Sequence, residues 1–172
     1  MDMDLLRVHF MRHINDHRQA EGVLPLQSNP KIESFALRHA GWLADHPGIL
    51  VYSGDPRVAG ANRRPGWQFN ELGFHDFYAE NIGVVRVIGS GDRLPEEIPF
   101  EDAKELYTSM QESGCTVELL AELAFLYWKN SEGSNDVLLQ PAIISCFFTG
   151  IIENGKFFFV LSALGNPYTE EE

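Results

Sequence analysis

A carboxylate and an amide stand side by side in Phe77-Tyr78-Ala79-Glu80-Asn81-Ile82-Gly83, where a polar loop meets a β-branched apolar run, residues 82–88. That run predicts a buried strand. A carboxylate at the mouth of such a strand has to be hydrogen-bonded, paired or solvated in a cleft, because burying it bare is costly. Two interpretations follow: Glu80 and Asn81 satisfy nearby backbone donors, or Glu80 faces a ligand cleft.

The length and charge of the chain limit its class. With 172 residues, 44% of them hydrophobic, it suits one well-buried core, so we expect a single domain over 1–172. The formal charge of −12 repels phosphate backbones and anionic lipid headgroups. Nucleic acid is therefore not an expected partner. The charge would favour a cationic or neutral partner, or it simply keeps the protein in solution, which is the interpretation we favour.

Neither the start of the chain nor its cysteines identify a compartment. Met1-Asp2-Met3-Asp4 is acidic and lacks the apolar core of a signal peptide, and no stretch has the length of a membrane span. We expect a cytoplasmic protein or a mature form without its leader. Cys115 and Cys146 could pair, but no CxxC metal spacing is present.

Periodicity and turn signals predict a mixed α/β fold. Helices are expected at 4–20, 29–45, 101–112 and 116–130, and strands at 82–88, 142–152 and 156–164. Asn154-Gly155 predicts a type I′ turn that joins the last two strands into a hairpin. Such helices around one small antiparallel sheet form an α/β sandwich.

The remaining segments are expected at the surface. Residues 52–73 are rich in Gly, Pro, Asn and Arg and predict a long excursion, a kind of loop that often carries function. Residues 89–100 form a turn and an acidic linker, and the tail 169–172 is expected to fray.

Three histidines, His9, His13 and His17, recur every four residues along the first predicted helix. Such a ladder can chelate a metal, but adjacent imidazoles are an incomplete set without a further ligand. The alternative, which we favour, is that they lie at the edge of the core.

Several short motifs together resemble CAP-superfamily domains (cysteine-rich secretory, antigen 5 and pathogenesis-related 1 proteins), in their bacterial form. The opening motif of that family is similar to Ile14-Asn15-Asp16-His17-Arg18 with Gly22-Val23-Leu24-Pro25-Leu26. Its Gly-Glu-Asn-Ile motif resembles Ala79-Glu80-Asn81-Ile82. Its later motifs resemble the segments 128–134, 138–141 and 149–151. The resemblance covers nearly the whole chain and implies a three-layer α-β-α sandwich with a small, mainly antiparallel central sheet and a cleft.

The resemblance also implies a metal site that this chain has lost. Many members hold a divalent metal with two histidines and acidic residues. Here Tyr52 and Ser134 stand in the histidine positions, Ser131 stands where many members carry an acid, and Glu80 remains. Because zinc prefers imidazole or thiolate, we expect no metal and no cofactor. The candidate ligand-binding residues are Tyr52, His75, Glu80, Asn81, Ser131 and Ser134.

A hydroxyl-lined cleft favours a non-catalytic binding domain for a small neutral polar or amphipathic molecule, or for a protein. The family is typically secreted. One alternative is a hydrolase that uses a cleft serine with Glu80 or a nearby histidine, although no GxSxG motif is present. Another is an interaction scaffold whose cleft is vestigial. Neither the ligand nor the oligomeric state follows from the sequence.

Overall fold

The computed structural model describes residues 1–59 and 77–166. Its helices are α1 (Met3–Ala20), α2 (Glu33–Asp45), α3 (Pro56–Ala59), α4 (Ala103–Ser113), α5 (Val117–Lys129) and α6 (Glu132–Leu138). Its strands are β1 (Gln27–Ser28), β2 (Tyr78–Arg86), β3 (Ile143–Glu153) and β4 (Lys156–Gly165). A short 3₁₀ helix, Pro30–Ile32, precedes α2.

The strands form a four-stranded sheet in the order β1-β3-β4-β2. β4 pairs antiparallel with both β3 and β2, whereas the short β1 pairs parallel with β3. Asn154 and Gly155 have φ values of 52° and 75°, the positive values that a type I′ turn requires. The predicted hairpin and the mainly antiparallel sheet are therefore confirmed.

One face of the sheet packs against α1 and α5 through aromatic rings. Phe10 of α1 stacks on Phe148 of β3 with ring centroids 3.9 Å apart, and Trp128 of α5 meets Phe10 edge-on at 5.6 Å. The indole Nε1–H of Trp128 also donates to the carbonyl of Ile82, 3.0 Å away. This bond joins α5 to the outer strand β2.

The opposite face of the sheet packs against α2. Alternate side chains of β3 and β4, including Phe147, Phe158 and Val160, meet the buried residues Ala36 and Leu43 of α2. Helices therefore cover the sheet on both faces, and the predicted α-β-α sandwich is confirmed. Because successive side chains of a strand point to opposite faces, each β2 residue belongs to one layer or the other.

Gly83 lets two elements approach closely in the middle of β2. A Cβ atom added there would lie 2.4 Å from the Phe159 ring and 3.0 Å from the Tyr127 ring. Only glycine leaves room for both rings, so the glycine in this apolar strand is a packing requirement.

Two residues of the segment that resembles the CAP opening motif, residues 14–18, fix the chain that follows α1. The Asn15 side chain exchanges two hydrogen bonds with the backbone of Leu26, at 2.8 and 3.0 Å. Arg18 is only 1% exposed and donates to the backbone carbonyls of Leu24, Leu138, Gln140 and Ile143. These two residues hold the 22–26 loop and the approach to β3 against α1.

The predicted boundaries need some correction. The outer strand begins at Tyr78 rather than Ile82, since its polar residues find partners and continue the pairing with β4. The helix predicted at 29–45 is a 3₁₀ turn followed by α2, while α3, α6 and β1 were not predicted.

Cys115 and Cys146 are both unpaired thiols. Residues 60–73 of the predicted excursion, the tail 169–172 and His75 lie outside the described residues.

Candidate functional site

Glu80 lies on the α2 side of β2 and hydrogen-bonds to Ser53. The period of two along the strand places it on the same face as Ile82 and Val84, which pack against α2 residues. Its side chain is nearly buried, with 8% of the residue exposed. One carboxylate oxygen accepts from the Ser53 amide at 3.0 Å, and the other accepts from the Ser53 hydroxyl. Glu80 therefore holds the extended segment 49–53 against the sheet.

This segment and β2 enclose a pocket of about 580 Å³. The described residues that line it are Leu50, Val51, Tyr52, Ser53, Gly54, Asp55, Tyr78 and Glu80. The wall combines two aliphatic side chains and two tyrosines with the carboxylates of Asp55 and Glu80. Asp55 is paired with Arg57, whose Nε lies 3.0 Å from its Oδ1. Burial raises the pKa of the Tyr78 phenol, and the nearby charge of Glu80 raises it further.

His39 of α2 hydrogen-bonds to the backbone of the pocket wall. It is 1% exposed, and its Nε2 lies 2.7 Å from the carbonyl oxygen of Val51. A carbonyl only accepts, so Nε2 carries a proton and donates to Val51. Within the described residues, Nδ1 has no hydrogen-bond partner. His39 thus positions the segment that carries Tyr52 and Ser53.

Replacing His39 with leucine is expected to lower the free energy of unfolding by about 1 kcal/mol, because the Val51 carbonyl loses its donor. The amides of residues 50–54 are expected to exchange hydrogen faster, as measured by NMR. His46→Leu is the matched control, since His46 is exposed and bonds only one turn back, to Trp42. Unchanged exchange at 50–54 in His39→Leu would contradict the positioning role.

The other predicted ligand-binding residues lie elsewhere in the fold. Asn81 points to the face opposite Glu80, where its Nδ2 donates to the Ser134 carbonyl at 2.9 Å. Ser131 is exposed and directly precedes α6. The structure therefore brings Tyr52 and Glu80 to one pocket, and joins Asn81 to the backbone of Ser134 in another layer. Ser53, the direct partner of Glu80, was not predicted; its signal was its place between Tyr52 and the turn at 54–56.

The histidine ladder lies along the seam between α1 and the helices α5 and α6. Each ring has a neighbour there: His9 lies 3.6 Å from the Glu118 carboxylate, His13 stacks on Phe125 at 5.4 Å, and His17 lies 2.8 Å from the Asn135 side-chain oxygen. No three His, Cys, Asp or Glu side chains of residues 1–59 and 77–166 are grouped so as to hold a metal ion.

Burial lowers the pKa of His13 below its usual 6.5, and Glu122 and Asp16 oppose this only in part. The folded state therefore binds this proton less readily than the unfolded state, and stability is lost as pH falls from 6.5 through the folded pKa. We expect urea titrations between pH 7.5 and 5 to show a shallower decline for His13→Gln than for the parent chain. His46→Gln, with an exposed ring, is the control; equal declines in both variants would refute the prediction.

The pocket also fails to fit the metal that the fold family implies. Its described wall contains no imidazole, and both oxygens of Glu80 are already hydrogen-bonded to Ser53. Tyr52, in the position of one expected histidine, offers a phenol, which is a poor zinc ligand. The chemistry of these residues is that of hydrogen bonding and apolar contact.

Two solved structures share this arrangement of layers. A cysteine-rich secretory protein from Staphylococcus aureus subsp. aureus Mu50 matches 96% of the chain with a TM-score of 0.51 and 13% identity. An extracellular protein containing an SCP domain, from Bacillus anthracis str. Ames, matches 95% with a TM-score of 0.57 and 14% identity. The chain has a CAP-like fold. It covers 40% and 41% of those two chains.

The CAP-like fold rests on structure alone. No protein-family model and no curated protein sequence matches the chain. At identities of 13% and 14%, the structural matches establish the fold alone. The function therefore has to be argued from the residues of the site. Among the described helices, none combines the length and hydropathy needed to cross a bilayer.

Proposed function

We propose that this chain is a metal-independent binding domain of CAP-like fold, forming one domain over 1–172, and that it takes a small polar or amphipathic molecule in the pocket beside Glu80. The observation that carries the proposal is the nearly buried carboxylate of Glu80 in the wall of a pocket of about 580 Å³, whose other described residues include two tyrosines and two aliphatic side chains. Concave, largely apolar sites with a few placed polar groups are typical of small-molecule binding.

The hydrogen bonds of the histidines favour binding over hydrolysis. A serine hydrolase needs a histidine nitrogen within reach of the serine hydroxyl. In the part of the chain described here, the bonded ring nitrogens of His17, His39 and His46 face an asparagine oxygen or backbone carbonyls. Ser53 is bonded to Glu80, whose carboxylate accepts from both its amide and its hydroxyl. These hydrogen bonds favour a role for Ser53 in holding the pocket wall in place over a role as an activated nucleophile.

The proposal is tested by NMR titration with two neutral probes, benzyl alcohol and hexyl glucoside. We expect shifts concentrated on the amides of residues 50–55 and 78–80. Tyr52→Ala is expected to weaken binding, because Tyr52 is 58% exposed and lines the pocket. Leu24→Ala, at an 81% exposed side chain remote from the pocket wall, is the control. Shifts scattered over the surface, with none at the pocket, would refute the proposal.

A further inference from the structure

We infer that the solvent-exposed face of α1 is an interface between two copies of this chain, packed antiparallel about a two-fold axis. The face consists of Leu5, Val8, Arg12, Asp16 and Gln19, which we call the α1 stripe. It points away from the sheet on the α1 side, whereas the proposed ligand pocket lies on the α2 side. The inference therefore goes beyond the proposed function and does not depend on it.

The α1 stripe follows from helical periodicity. Its residues recur at spacings of three and four, so they share one face of α1, opposite the buried residues of that helix. Leu5 and Val8 are 40% and 56% exposed, and Arg12, Asp16 and Gln19 are exposed as well. The stripe is thus apolar toward the N-terminal end of α1 and polar toward its C-terminal end.

A further apolar side chain follows the C-terminal end of α1. Leu24 is 81% exposed, yet the loop that carries it is held in place. The Val23 amide donates to the Arg18 carbonyl at 2.8 Å, and the Arg18 Nε donates to the Leu24 carbonyl at 2.6 Å. Between this loop and the C-terminal turns of α1 is a hollow of about 460 Å³. Because the backbone of the loop is already ordered, a contact here costs little conformational entropy.

The two ends of the α1 stripe complement each other when a second α1 lies antiparallel to the first. In the register that places Arg12 opposite Asp16 of the second copy, Asp16 also faces Arg12 of that copy, so two ion pairs form about the axis. The same register places Val8 opposite Ala20, beside the hollow of the second copy, and Leu5 level with its 22–25 loop.

The charges of the α1 stripe favour this orientation over a parallel one. A parallel two-fold pairing would oppose Arg12 to Arg12 and Asp16 to Asp16, and like charges in a contact are repulsive. The formal charge of −12 on each chain repels a second copy at long range. One helix per copy also gives a small contact, so we expect a weak dimer that forms only at high concentration.

Sedimentation equilibrium of the full chain tests the inference from about 10 μM to about 1 mM, a range that covers weak association. We expect the average mass to rise from that of the 19.4 kDa chain toward twice that value. Val8→Glu is expected to raise the dimer Kd by about tenfold or more, because a carboxylate replaces an apolar contact. Leu37→Glu is the matched control and is expected to keep the parent Kd, since Leu37 is 41% exposed on α2, beyond the other face of the sheet.

Charge reversal tests the antiparallel orientation. Arg12→Glu and Asp16→Arg each place like charges opposite each other in the proposed register, so each variant alone is expected to remain monomeric. Mixed in equal amounts, the two variants restore both pairs of opposite charges, and a heterodimer is expected. A parent chain that stays monomeric over the whole range, a Val8→Glu variant that dimerises like the parent, or a mixture that stays monomeric would overturn the inference.

Discussion

Arg18→Met is expected to lower the free energy of unfolding by about 3–5 kcal/mol, because several carbonyls lose a charged donor and each hydrogen bond to a charged group contributes about 1.5–3 kcal/mol. The Arg18 guanidinium is 1% exposed and binds four backbone carbonyls at 2.6 to 3.4 Å. Methionine fills similar space but donates nothing. The carbonyls it leaves behind are buried or half-buried, and each unsatisfied one adds its desolvation penalty.

Urea denaturation of the parent chain and the variant measures this loss. Arg12→Met is the matched control, because Arg12 lies on the exposed side of the same helix. Arg18→Lys is expected to fall between them, since an ammonium keeps the charge but lacks the planar fork that reaches several carbonyls. If Arg18→Met costs no more than Arg12→Met, the network does not hold the 22–26 loop and the start of β3 as described.

Glu80→Gln is expected to lower the free energy of unfolding by about 2–3 kcal/mol, because the charge-assisted hydrogen bonds between Glu80 and Ser53 are lost. Glutamine keeps the size but replaces one of the two accepting oxygens with an NH2 group and removes the negative charge, so one of the two Ser53 hydrogen bonds loses its acceptor and the other loses its charge assistance. Of the two roles that the sequence presents as alternatives, the Ser53 contacts support the structural one, and the ligand role stays part of the proposed function. A variant that melts like the parent chain would mean that Glu80 does not hold the 49–53 segment.

A double-mutant cycle with Ser53→Ala isolates the contact. Ser53→Ala removes the hydroxyl and keeps the amide, so the two changes are expected to be non-additive by at least 0.5 kcal/mol, as for residues in direct contact. Glu112→Gln combined with Ser53→Ala is the control and is expected to be additive. Additive losses in the Glu80 cycle would show that the hydroxyl contributes nothing to the pair.

The sequence predicted the fold well wherever pattern and turn chemistry agreed. The hairpin followed from Asn154-Gly155 between apolar runs, and the long helices from their periodicity. It failed where partners distant in sequence decide the outcome. Tyr78 to Asn81 look like a loop until β4 supplies hydrogen bonds, and the parallel pairing of β1 with β3 involves two residues without any local signal.

The sequence pointed to Glu80 and Tyr52, which both line the pocket, but not to Ser53 or to His39, which bonds to the pocket wall. Ser53 resembles any serine in a turn, and only the folded chain brings its amide and hydroxyl to Glu80. His39 lies in the buried stripe of α2, where the sequence indicates an ordinary core residue. In the folded chain its Nε2–H donates to the Val51 carbonyl, outside the helix. Both contacts depend on the 49–53 segment lying close to both α2 and β2, and the periodicity of the sequence carries no information about that placement.

The position of β2 at the outer side of β4 has a consequence for the order of folding. β3 and β4 are joined by a two-residue turn, so they can pair quickly, whereas Glu80 meets Ser162 only after a long stretch of chain has closed. We expect the hairpin and its helices to form first and β2 to add late. Because β2 carries Glu80 and Tyr78, the wall of the pocket is completed only at that last step, and the slowest part of folding is also the step that forms the proposed site.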